Sequence, residues 1–141
     1  MIIVDDHNLF CILAHVGSEQ LIELSKPGVA TTSSWYYRLA RAVASDRIDG
    51  ALSSRIEHLA ESDQAQVRKN LSGLPPFVNT KDPRHVVPLM AALSTVVKAN
   101  FILLEAIALA ITLDADIVTA TRSPLLDQAA ELLHLNVVYL R

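Results

Sequence analysis

Residues 101–141, FILLEAIALAITLDADIVTATRSPLLDQAAELLHLNVVYLR, decide the fold. The stretch opens with an apolar helical run broken by a single acid, Glu105. Asp116 to Ala120 (DIVTA) is rich in β-branched residues and reads as a buried strand. Ser123-Pro124 then places a cap residue before a proline at the first helical position, the favoured order for opening a helix. Val137 to Leu140 reads as a closing strand. Helix, strand, helix, strand at this spacing implies parallel strands joined by crossover helices.

The amino terminus extends the pattern. Met1 to Val4 is a short apolar run suited to a strand covered on both faces, and it leads straight into Asp5 and Asp6. Leu9 to Val16 reads as a helix, and Ser18 caps another through Leu24. Pro27-Gly28 is a turn, and Val29 to Thr32 is a second strand. Ser33 or Ser34 caps the helix WYYRLARAVA, with Trp35, Leu39, Ala42 and Val43 on one side and Arg38 and Arg41 towards another. Residues 46–80 contain two short amphipathic helices, ALSSRIEHLAE and SDQAQVRKNLSGL, with Asp63 as an N-cap. Phe77-Val78 begins a short strand. Pro83 and Pro88 frame a helix running to Val97. The expected fold is an α/β/α sandwich with a mostly parallel central sheet, Met1–Val4 central and Asp116–Ala120 adjacent to it.

Composition narrows the class. A chain of 141 residues, 51% hydrophobic, suits one domain with a two-sided core. A net charge of −3 excludes a strongly basic nucleic-acid binder, leaving room only for a local cationic patch. One cysteine, Cys11, rules out an internal disulfide and a multi-cysteine metal site, and its apolar setting reads as a buried structural thiol. Asp5, Asp6 and His7 interrupt the start before an apolar signal core forms, so a cytoplasmic protein is expected. Val86–Val97 and Phe101–Leu113 are apolar runs of 12 and 13 residues. Each is short of the roughly 20 needed to span a bilayer. No membrane partner is expected. The four glycines form no phosphate-binding loop, which weakens a nucleotide-binding reading.

Two segments, IIVDDHNLF and EAIALAITLDADIVTATRSPLLDQAAELLHLNVVYL, are similar to the PIN domain family of small metal-dependent ribonucleases, which includes toxins of toxin–antitoxin pairs. The first resembles the family's strand ending in an acid before a helix. The second resembles its acid-bearing helix, its strand ending in Thr-x-Asp, a helix and a last strand. The match covers about a third of the chain, at both ends. It implies carboxylates gathered around Mg²⁺ or Mn²⁺, RNA as substrate, a small antitoxin as partner, and a homodimer formed through helices. Hard cations prefer oxygen ligands, and the bound metal activates water and stabilises charge on phosphate.

Carried over residue by residue, the resemblance makes Asp5 the first acid. The strand-end acid falls on Thr121, which would reach a metal only through a neutral hydroxyl or water. The acid of the helix after the second strand falls near Arg38. Glu105 stands two residues beyond the family's helix acid, which aligns nearer Leu103, but it is the sole carboxylate on its helix. The expected catalytic pair is therefore Asp5 and Glu105, with Thr121 completing the metal shell. Their carboxylates are expected within roughly 4–8 Å of each other. Arg38 and Arg122 would contact substrate, with Arg41 and Arg47 in the same phosphate-facing patch.

Blander roles stand beside each of these. Asp5 would also cap the helix that follows it, Asp6 reads as solvated or a cap, and His7 reads as a hydrogen-bonding residue. The aromatic run 35–37 suits core packing or base stacking. Val86–Val97, apolar almost all round, suits deep core or a subunit interface. Two functions follow: a PIN-like ribonuclease with an incomplete acid set, its cation held weakly or not at all, or a PIN-like binding or regulatory protein without catalysis.

Overall fold

A computed structural model describes residues 1–45 and 50–141. Among them the elements run β1 (Ile2–Val4), α1 (Asp6–Leu13), α2 (Glu19–Ser25), β2 (Val29–Ala30), α3 (Ser33–Ala44), α4 (Ala51–Glu57), α5 (Glu61–Ser72), β3 (Val78–Asn79), α6 (Pro83–Leu93), α7 (Phe101–Leu113), β4 (Asp116–Thr119), α8 (Pro124–Leu133) and β5 (Val137–Tyr139).

All strand pairs are parallel, in the order β3-β2-β1-β4-β5. β1 is central and lies beside β4, as expected, with Ile3 opposite Ile117. Alternation along β1 divides the core. Ile2 and Val4 join α1, α2, α4 and α5 on one face, while Ile3 joins α6, α7 and α8 on the other. This is the three-layer α/β/α sandwich. Helix α3 serves both layers, sending Leu39 into the first core and Trp35 into the second. The chain runs outward from β1 to β2 and β3, then crosses back to β4 and β5. The order therefore reverses between β1 and β4, and in open parallel sheets the crevice beyond such a reversal is the favoured place for ligands.

Several boundaries differ from expectation, each for a local reason. α1 starts at Asp6 rather than Leu9, because Asp5 is its N-cap, accepting from the Asn8 amide at 2.9 Å. It stops at Leu13, before His15 takes the left-handed conformation. β2 ends at Ala30, since the Thr31 hydroxyl donates to the Val4 carbonyl and Thr32, not a serine, caps α3. Asp63 is not an N-cap but sits in the first turn of α5, where its charge still favours the helix dipole. β3 takes Val78–Asn79 and leaves Phe77 out. α6 ends at Leu93, short of Val97. The Ser94 and Thr95 hydroxyls bond back to the Ala91 and Ala92 carbonyls, and a β-branched run follows.

That last segment carries apolar residues on both faces but is buried on only one. Val86, Met90, Leu93 and Val97 are buried while Val87 and Val96 are exposed, so one stripe packs on α7 and the other faces out. No helix among the described residues is long and apolar enough to cross a membrane.

Candidate functional site

Asp5 stands at the carboxyl end of β1, beside the reversal point. It is only 3% exposed. Its Oδ1 accepts from the Asn8 amide and the Asn8 side-chain Nδ2, each at 2.9 Å. Its Oδ2 accepts from the Thr119 hydroxyl at 2.9 Å and the Ala120 amide at 2.7 Å. Asn8 Nδ2 also reaches the Leu140 carbonyl at 3.3 Å. One carboxylate thus ties β1, the start of α1 and the end of β4 together, while Asn8 adds the chain just past β5. A carboxylate has about four lone-pair positions, and four donors fill them here.

Glu105 lies on α7 and is 6% exposed. It faces the first turn of α3, not Asp5's donors. Oε1 accepts from the Ser33 amide at 2.8 Å, and Oε2 accepts from the Ser34 amide and the Ser34 hydroxyl. The free N–H groups and the positive dipole end of α3 make a buried charge tolerable there. Thr112, seven residues on along α7, is exposed, and its hydroxyl donates back to the Ala108 carbonyl.

Asp6 corrects the sequence reading, being neither solvated nor a cap. It is 3% exposed and pairs with Arg38, Nε to Oδ2 at 3.1 Å. Burial holds its carboxyl above the ordinary value; Arg38 pulls the other way, and Asp5 adds to the rise. Thus the cation that stands where an acid was expected is the partner of a different acid.

Asp6 and Arg38 open onto a cleft of about 430 Å³, shared with His7, Arg41, Ser45 and Ser53. The Arg38 side chain is half exposed and binds Asp6 through Nε. Arg41, one turn on, forms no ion pair among the described residues. Thr121 is exposed just past β4, held near Thr119 by a 3.4 Å bond from its amide to the Thr119 hydroxyl. Arg122 stacks over the Tyr139 ring at 4.7 Å, away from the Asp6 cleft. The Tyr139 hydroxyl donates to Asp127, and burial together with that bond raises the phenol above its usual value. Arg47 lies outside the described residues.

The structure therefore brings Asp5 to Thr119 and Ala120, and Asp6 to Arg38, but gives Asp5 and Glu105 separate partners. Among the described residues no three His, Cys, Asp or Glu side chains converge as a cation site would need. Asn8, Thr119 and the pair Ser33-Ser34 carry the polar network; sequence reasoning gave the serines only a capping role and gave Asn8 and Thr119 none in a site. Asn8 had a signal: it sits three residues after a helix-capping aspartate. No protein-family model matches the chain, and no curated protein is similar to it.

Proposed function

We propose that this chain is a PIN-like protein that binds single-stranded RNA without hydrolysing it. The observation that carries the reading is the saturation of Asp5. A divalent cation needs oxygen lone pairs to spare, and the four positions on this carboxylate are taken by its own chain. Glu105 spends most of its capacity on α3, and Thr121 adds no charge. As arranged, this donor set does not fit Mg²⁺ or Mn²⁺. What remains beside the reversal point is a cationic cleft, with Arg38 held in place by Asp6 and Arg41 in no ion pair among the described residues. Guanidinium groups so placed suit phosphate oxygens. The RNA itself comes from the resemblance of both chain ends to PIN domains.

The test pairs RNA binding with RNA cleavage in Mg²⁺ or Mn²⁺, for the parent, Asp5→Ala and Thr121→Asp. Binding without cleavage in the parent, weakened in Arg38→Gln and Arg41→Gln, is the expected result. Cleavage by the parent that Asp5→Ala abolishes and Thr121→Asp preserves or raises would establish the hydrolytic reading instead.

A further inference from the structure

Two aromatic rings, Tyr37 on α3 and Phe101 on α7, lie open outside the cationic cleft. Tyr37 and Phe101 are each 64% exposed, whereas Trp35 beside them is buried. Both line a cavity of about 250 Å³ walled by Val86, Val87 and Met90 and reaching Glu105. This volume suits one flat heterocycle. It is too small for a partner helix, which is about 10 Å across with its side chains.

Glu105 marks the chemistry of the occupant. Its Oε2 takes two donors from Ser34, but Oε1 takes one, the Ser33 amide. Oε1 keeps one lone pair to offer. A spare acceptor in a mostly apolar cavity, lined also by Ser33 and Ser34, calls for an N–H on a planar, largely apolar molecule. A nucleobase meets both demands, with faces for Tyr37 and Phe101 and an N–H edge for Oε1. Guanine can give its ring N–H to that one lone pair, with its amino group, a donor the carboxylate does not repel, on one side. Uracil flanks its single N–H with two carbonyl oxygens, which a carboxylate repels.

We propose that this cavity holds one unpaired base, guanine in preference to uracil, of a strand whose phosphates lie against Arg38 and Arg41. The inference rests on the RNA-binding reading above. Tyr37 and Arg41 are four residues apart on α3 and so neighbour each other on one face, which places base and phosphate contacts side by side.

The experiment is fluorescence anisotropy with three labelled RNA hexamers: all uridine, one with a central guanosine, and one abasic at that position. Parent, Phe101→Ala and Phe101→Trp are compared, with circular dichroism confirming the fold and sedimentation giving the oligomeric state. The guanosine hexamer should bind the parent about tenfold tighter than the abasic one, as loss of one stacked base implies. Phe101→Ala should erase that difference and Phe101→Trp should keep it. Equal affinity for guanosine and abasic hexamers would overturn the base cavity while leaving RNA binding intact. No binding of any hexamer would overturn both readings. A parent dimer that Phe101→Ala converts to monomer would make a second copy the occupant and overturn the proposal.

Discussion

Asp5 illustrates how one buried charge does structural work. Removing a carboxylate that four donors point at leaves the Asn8 and Ala120 amides unpaired, and the Asn8 and Thr119 side chains with only their longer bonds to the Leu140 and Thr121 carbonyls. Such orphaned groups cost about 1–3 kcal/mol each when not rehydrated. Asp5→Ala should therefore destabilise the fold by about 3 kcal/mol or more in urea unfolding, and a loss below 1 kcal/mol would contradict the network. Asp6, its neighbour, works in the opposite direction. Its folded carboxyl holds its proton more tightly than the unfolded chain does, because burial outweighs the pull of Arg38. Stability from this group is thus fully present below the ordinary carboxylate range and declines as pH rises from about 4 through the raised value. Asp6→Asn cannot ionise, so its unfolding midpoint should fall less than the parent's as pH rises above the ordinary carboxylate range. A steeper fall in the variant would refute this. The sequence made Asp5 conspicuous, as an acid at a strand end. It could not tell a cap from a ligand, because that depends on where Thr119 and Ala120 arrive from more than a hundred residues away. For the same reason Asp6 looked solvated: its burial is made by Arg38, which only the packing of α3 brings close.

At the scale of elements, strands and helices were legible wherever a side-chain pattern and a stop signal agreed. β1, β4 and α8 had both, and the β1–β4 pairing followed from two runs that tolerate cover on both faces. Boundaries slipped where a hydroxyl competes for backbone groups, as Thr31, Thr32, Ser94 and Thr95 do. α6 carries a further local conflict. Pro88 lies inside the helix, cannot donate to the carbonyl four residues back, and is exposed, so packing gives it no compensation. An interior proline costs up to about 3 kcal/mol relative to alanine, partly offset by the stiffer unfolded chain. Pro88→Ala should raise stability by about 1 kcal/mol or more in urea unfolding, with added helical signal in circular dichroism. A loss of stability would mean that Pro88 is needed to seat Val86 and Met90 on α7.

For the whole molecule, charge and architecture set the terms of binding. The chain carries a net charge of −3, so any polyanion approaches against a weakly repelling field. Attraction must come from a few cations held at one place. The sandwich supplies that place because α3 serves both layers, putting Arg38 and Arg41 beside the β1–β4 reversal while Tyr37 opens to the other cavity. With Arg38 and Arg41 as the cleft's arginines among the described residues, the salt dependence should be shallow. Each contact to single-stranded RNA contributes roughly 0.7 to the slope of log affinity against log salt, so two give a slope of about −1.4. Arg41→Gln should halve that slope, and the double replacement with Arg38→Gln should bring it near zero. Stacking on Tyr37 and Phe101 would then persist as a salt-insensitive remainder. A slope steeper than about −3 in the parent would require cations beyond this pair and would place the main contact surface elsewhere on the molecule.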